Sequence, residues 1–400
     1  MSAWFKTAVA LLLLTAAPAF AQDLPELEFE KYTLENGLEV VLHVDRTTPT
    51  AAVNVWYHVG SKNEKPGRTG FAHLFEHMMF QGSENHDSDY FLPLQKIGAQ
   101  VNGSTNKDRT NYWENVPSDQ LELALFLEAD RMGNLLPAMT QEKLDNQRDV
   151  VKNEKRQGEN RPYAKSREML LEMMFPPGHP YRWTVIGSMD DLSAASISDV
   201  SDFFRLYYAP NNASLVVAGD FDPSTLKPLI EDLFGTLPRG DEPPRQTIPA
   251  IELDRVARRV VTDSVRLPML AFAWHSPAFY APGDANMDLL AAVLGEEPSG
   301  RLYRALVETG LAASVAVYQA SAVLGSTFNI QVLAAPAADL DEIESIVDAE
   351  IAKLVADGPT EAELSAHRAR YGGGDGRATT QPTGNRDLAG DGYGHGGEHC

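Results

Sequence analysis

A chain of 400 residues with 34 Lys and Arg against 56 Asp and Glu carries a formal charge of −22. That balance excludes nucleic acid and an anionic membrane surface as the main partner, while the length suffices for two domains of ordinary size. The only cysteine is Cys400, so disulfides cannot hold the fold and a cysteine nucleophile is excluded.

The first 21 residues read as a secretory signal. Lys6 supplies a basic start, Thr7 to Thr15 a short apolar run, and Ala19-Phe20-Ala21 a small-residue cleavage site. The pattern predicts a cut after Ala21 and a periplasmic or secreted protein. The run is shorter than the ~20 residues needed to span a bilayer, so no membrane association is expected.

Residues 32–44 and 50–59 have the β-branched, partly alternating character of strands, with a turn at Asn36-Gly37. A helix is expected around 69–80, followed by a loop, and 100–116 reads as strand, turn, strand. Residues 118–136 and 140–158 read as helices, with Ser118 and Thr140 as N-caps. A short buried strand is expected at 213–220 and a Pro- and charge-rich linker at 239–249. Beyond it the order recurs in outline: strands over 258–276, helices at 283–295 and 300–309, strands at 311–319 and 326–334, and a helix at 338–356. The pattern predicts two similar α+β domains in tandem, at 25–240 and 250–371. Thr360 to Glu363 form a capping-box pattern that should launch a further helix. Ten of the 30 glycines then fall within 372–400, which is expected to be a disordered tail behind an incomplete second domain.

The chemistry concentrates in TGFAHLFEHMMF, residues 69–80. On a helix, His73, Glu76 and His77 stand at i, i+3 and i+4 and share one face, with Phe71, Leu74, Phe75 and Met78 on the opposite stripe. Two imidazoles a turn apart can reach one tetrahedral Zn²⁺ at ~2.0–2.1 Å, and the adjacent carboxylate can act as general base on a metal-bound water. H-x-x-E-H is one of the catalytic zinc motifs; the alternative is an exposed histidine pair beside a glutamate. A catalytic zinc needs a third protein ligand. On the helix at 140–158, Leu144, Gln147, Val151 and Glu154 form one stripe, which puts Glu154 on the buried side. A metal would satisfy that carboxylate, and so would a salt bridge to a local Lys or Arg. His43, His58, His86, His179 and His275 are isolated and read as structural or solvated, and the His395/Glu398/His399/Cys400 group in the glycine tail reads as chance.

His73-x-x-Glu76-His77 followed by Glu154 resembles the pitrilysin/insulinase family of zinc peptidases, which includes the mitochondrial processing peptidases. The resemblance extends to VGSKNEKPGRTGFAHLFEHMMFQGS (59–83), NGSTNKDRTNYW (102–113), RDVVKNEKRQ (148–157) and YYAPNNASLVVAGDFDP (207–223). It implies tandem metallohydrolase-type domains, each a mostly antiparallel sheet flanked by helices, the second one inactive. It also implies one Zn²⁺ per chain on His73, His77 and Glu154, with Glu76 as the base. Domain pairs of that family close around an unfolded peptide, which adds as a strand to a sheet edge; Asn102 and Gly103 match that edge. Two departures stand out. Gln147 occupies a position, seven residues before the third ligand, where many members carry a glutamate, and Leu306 and Ala313 stand where active members place a substrate-holding Arg and Tyr. The implied protein is an exported zinc metalloendopeptidase half whose substrate anchors come from a partner subunit or a second half. The alternative is a non-catalytic subunit of a peptidase assembly.

Overall fold

The computed structural model describes residues 27–365 except 247, 250, 252 and 254, so the signal-like segment and the glycine tail lie outside the described residues. Six strands form the first sheet: β1 (Glu30–Thr33), β2 (Glu39–Val44), β3 (Thr50–Tyr57), β4 (Gln100–Thr105), β5 (Thr110–Pro117) and β6 (Ala213–Gly219). Their order is β1-β2-β6-β3-β5-β4, antiparallel except for the parallel pair β2 and β6. In β3 the alternation is complete. Ala51, Val53, Val55 and Tyr57 are fully buried, while the residues between them are half-buried, as a one-sided sheet requires.

Eight helices accompany that sheet: α1 (Phe71–Met78), α2 (Phe91–Lys96), α3 (Leu121–Ala138), α4 (Gln141–Glu159), α5 (Ala164–Met174), α6 (Met189–Ala194), α7 (Ile197–Tyr207) and α8 (Pro223–Phe234). A single apolar cluster joins β3, β5 and β6 to α1, α3, α7 and α8. The second half has a three-stranded antiparallel sheet of order β7-β9-β8, built from β7 (Met269–Ser276), β8 (Ala312–Ala320) and β9 (Ser326–Ala334). Its core of Val293, Leu294, Leu302, Leu306, Ile330, Val332, Ile343 and Val347 is closed by α9 (Asp284–Gly295) and α10 (Leu340–Asp357). A small third cluster of Met174, Phe175, Tyr181 and Ala322 ties the two halves together. Both halves are mixed α+β, as read from the sequence. Among the described residues no helix is long and apolar enough to cross a membrane.

The local differences have local causes. Ser118 does not cap α3: its N–H bonds to Pro49 O, prolonging the strand pairing, so a 3-10 turn at Ser118–Gln120 precedes the helix. Thr140 does cap α4, accepting from Lys143 N. Of the strands expected over 258–276 only β7 forms. Val256 and Val260, exposed at 83% and 94%, lie in coil because β7 pairs only with β9. The expected helix at 300–309 is a wider, π-type turn at Tyr303–Val307 that buries Leu306. The loop expected after residue 80 contains α2. The capping bonds between Thr360 and Glu363 are present.

Candidate metal centre

α1 is driven into the core by Phe71, Leu74, Phe75 and Met78, each at most 2% exposed. Phe75 stacks on Phe203, Phe204 and Tyr208, and Tyr112 donates to its carbonyl oxygen. With that stripe committed, the helical period turns His73, Glu76 and His77 to the other side, half-buried. The two imidazoles lie 4.9 Å apart between ring centroids and nearly perpendicular, at 79°.

α4 packs beside α1 through Leu144 and Val151, both fully buried, and brings Glu154 to the histidines. Its Oε2 is 3.7 Å from His73 Nε2 and 3.5 Å from His77 Nε2. Glu154 is less buried than the sequence stripe implies, with 33% of its side chain exposed. At 3.6 residues per turn, position 154 falls about 80° around the helix from Leu144, and Lys155 takes the buried place instead. Glu154 therefore stands at the flank of the packed face, and its ion-pair partners are the histidines rather than a local Lys or Arg.

Electrostatics sort the three donors. Burial pulls the His73 imidazole down to about 4, helped by the neighbouring His77 and opposed by Glu154. His73 is therefore neutral at neutral pH, the state a ligand needs. Burial also works against protonating His77, but the hydrogen bond and charge of Glu154 outweigh it, with smaller contributions from Glu76 and the amide of Gln147. Its pKa lies above the usual imidazole value. Burial would raise the Glu154 carboxyl, yet the His77 contact and the charges of both imidazoles hold it below the usual carboxylate range. The lone donor set of its kind among the described residues thus comprises two imidazole nitrogens and one carboxylate oxygen within 4.8 Å of one another. Ligands bound at 2.0–2.2 Å in a tetrahedron stand roughly 3.3–3.5 Å apart, close to the separations present here. Three donors leave a fourth position free, so the residues fit a catalytic zinc. The Nδ1 of His73 is buried without a hydrogen-bond partner among the described residues.

Glu76 belongs to the same face but points to the sheet. Burial raises its carboxyl above the usual value, against the pull of Thr105, His77 and Arg109. Its neighbour is Gly103 on β4, the edge strand of the first sheet, where the methyl carbon of an alanine would lie only 3.2 Å from Glu76 Cγ. Asn102, exposed beside it, turns its Oδ1 to accept from Gly103 N at 2.8 Å. Gln147 is buried on α4 next to His77. The other two positions singled out from the sequence lie in the second half: Leu306 is buried in its core, and Ala313 is exposed at a β-bulge in β8.

Residues 39–180 match the insulinase family (peptidase family M16), and residues 194–371 match the peptidase M16 inactive domain. The zinc protease PqqE of Helicobacter pylori is 34% identical over 76% of this chain and 69% of its own length. This chain belongs to the insulinase family, M16. A crystal structure of a protease from Helicobacter pylori superposes with a TM-score of 0.80 at 28% identity, over 90% of this chain and 87% of that one. The periplasmic protease PqqL of Escherichia coli shares the fold, with a TM-score of 0.73 at 19% identity, but 89% of the present chain accounts for 40% of PqqL. The M16 inactive-domain match begins ahead of β6, a central strand of the first sheet, so sequence segments and sheets divide this M16 chain at different points.

Sequence reasoning passed over Glu64, Arg109 and Asp191. Glu64 is 5% exposed and accepts from Gly70 N and Ala72 N at the start of α1. The available signal was an acidic residue shortly before a glycine-started helix that lacks a cap of its own.

Proposed function

We propose that this protein is an exported zinc metalloendopeptidase that hydrolyses peptides or unfolded protein segments. One observation carries the reading: His73, His77 and Glu154 converge within 4.8 Å beside a half-buried glutamate that faces a sheet edge. The Zn²⁺ they would hold, one per chain, supplies a Lewis acid for the scissile carbonyl and the attacking water. Glu76 is the base. Its raised pKa suits a group that takes a proton from the attacking water and returns it to the leaving amine near neutral pH. Among the described residues the outer side of β4 has no strand partner, and it can pair with an extended peptide backbone. There Asn102 meets the chain and Gly103 leaves room for Glu76. Gln147 steadies the His77 ring. Leu306 and Ala313 offer no polar grip, which supports the reading that a partner subunit or second half supplies the substrate anchors. Lys6, the apolar run and Ala19-Phe20-Ala21 support export to the periplasm or beyond. The same loss of anchors favours a second reading, a non-catalytic subunit of a peptidase assembly.

The experiment is zinc stoichiometry together with cleavage of a quenched peptide, with and without the co-expressed product of a neighbouring gene. One zinc per chain and turnover that vanishes in Glu76→Gln without loss of metal fit the proposal. In Glu154→Gln the metal itself should bind more weakly. Zinc with no turnover in either setting establishes the second reading, and turnover retained by Glu76→Gln refutes the assigned base.

A further inference from the structure

The two histidines ride on a helix of only eight residues whose N-cap, Gly70, is in the left-handed region (φ 87°) and contributes no side-chain bond. So short a helix does not hold itself in water. The aim of His73 and His77 therefore depends on what fastens its first turn. Part of that fastening is Glu64. The rest comes from far along the chain, where Asp191 Oδ2 accepts from Thr69 N at 2.9 Å and from Thr69 Oγ1 at 2.5 Å. Thr69 Oγ1 in turn accepts from Ser188 N at 3.1 Å. Gly187 (φ 72°) lies against Gly70 so closely that a methyl carbon on it would come within 2.4 Å of Gly70 N.

Asp191 sits in α6. Just beyond the far end of that helix, the carbonyl oxygen of Ala195 accepts from Arg148 Nη1 at 2.8 Å. Arg148 is on α4, less than two turns before Glu154, and its other nitrogen is steadied by Asp145. Between these two attachments Leu192 is fully buried in the main core. One short stretch, 187–195, thus grips the start of the helix that carries the imidazoles and also the helix that carries the carboxylate.

We propose that residues 187–195 form a bracket that sets the spacing of the metal donors, with Asp191 a positioning residue for His73 and His77 and Arg148 one for Glu154. The proposal rests on the reading of those three side chains as metal ligands. Direct packing of Leu144 and Val151 brings α4 to α1. The bracket adds register: it stops α1 from sliding or turning about its axis, a motion that would spread donors now 3.5 and 3.7 Å apart.

The test is titration of the full metal-free chain with Zn²⁺ and with Co²⁺ alone, reading affinity and the cobalt absorption spectrum, alongside urea unfolding without metal. Partners that orient ligands typically alter metal affinity by about 10–100-fold when removed. Asp191→Ala should weaken zinc binding by that factor and change the cobalt spectrum. Asp191→Asn keeps an oxygen able to accept both Thr69 donors and should stay within about threefold of the parent, by the same scale. Arg148→Ala should also weaken zinc, whereas Asp145→Ala, which leaves Ala195 its donor, should not. Should Asp191→Ala fail to fold, Thr69→Val removes the hydroxyl links while keeping the Thr69 N bond to Asp191, and must still weaken zinc binding and change the cobalt spectrum, by a smaller factor. Variants that are less stable but bind zinc with parental affinity and the parental cobalt spectrum overturn the bracket alone. An unmodified chain that takes up no zinc overturns the metal-site reading and the bracket with it.

Discussion

Gly103 is where the edge strand meets Glu76, the proposed base. A methyl group there would stand 3.1 Å from Tyr112 Cδ1, 3.2 Å from Glu76 Cγ and 3.3 Å from Phe80 Cε2. Tyr112 is fully buried and packed edge-on against Phe80, so the rings have little room and the carboxylate arm is the group that yields. Displacing a catalytic group by about 1 Å costs on the order of 100-fold in rate. A contact of 3.2 Å asks the Glu76 arm to give by only a few tenths of an ångström, so Gly103→Ala should lower kcat/KM by up to about 10-fold while zinc affinity stays near the parental value. Parallel metal titration and peptide turnover decide it; full activity would show that Gly103 is not reserved for Glu76. The face shared by His73, Glu76 and His77 was legible because three residues at i, i+3 and i+4 need only the helical period. Glu154 was legible as a participant but not in its exposure, since ten positions of rotation carry it to the edge of the packed stripe. Asp191 was not legible: it acts on Thr69 across 122 positions of sequence, a distance no local pattern spans.

Elements show the same division. β3 and α4 were readable because alternation in one and the Thr140 cap in the other are written locally. α5 and α6 were not, since each buries one residue, Met174 and Leu192, and leaves little period to detect. α1 is the opposite case, with a clear stripe but a beginning set by tertiary contacts. Its Glu64 cap has a measurable consequence. Burial pushes the Glu64 carboxyl from 4.5 up to about 8, against the pull of the N–H groups of Ala72, Gly70 and Trp183. The folded chain then keeps a proton that the unfolded chain has released, so this contribution to stability is full below about pH 4.5 and is lost as pH rises toward 8. Glu64→Gln cannot ionise. Urea unfolding of the metal-free protein across pH 5–8 should show the parent losing stability relative to the variant. Parallel curves would mean that the three N–H donors keep Glu64 ionised throughout.

At the scale of the molecule, the two halves meet at the tip of the β4–β5 hairpin. Asp108 accepts from Tyr181 Oη at 2.5 Å and from Val323 N at 3.0 Å, and pairs with Lys62 Nζ at 3.1 Å. Tyr181 Oη accepts from Leu324 N, so the 321–325 turn between β8 and β9 is tied to the hairpin whose outer strand faces Glu76. Lys107 completes the junction over the rings of Phe175 and Tyr181. A loose second half would therefore loosen the proposed substrate edge, which would give the segment that matches the inactive domain a mechanical role that does not depend on Leu306 or Ala313. Asp108→Ala leaves a lysine, a tyrosine hydroxyl and an amide without their shared acceptor and should cost about 2–4 kcal/mol. Hydrogen exchange would locate the effect: the amides of Val323 and Leu324 should exchange faster, and those of β4 and β5 should follow. If protection falls at Val323 and Leu324 while the hairpin keeps its own, the halves touch there without mechanical coupling, and the substrate edge depends on the first sheet alone.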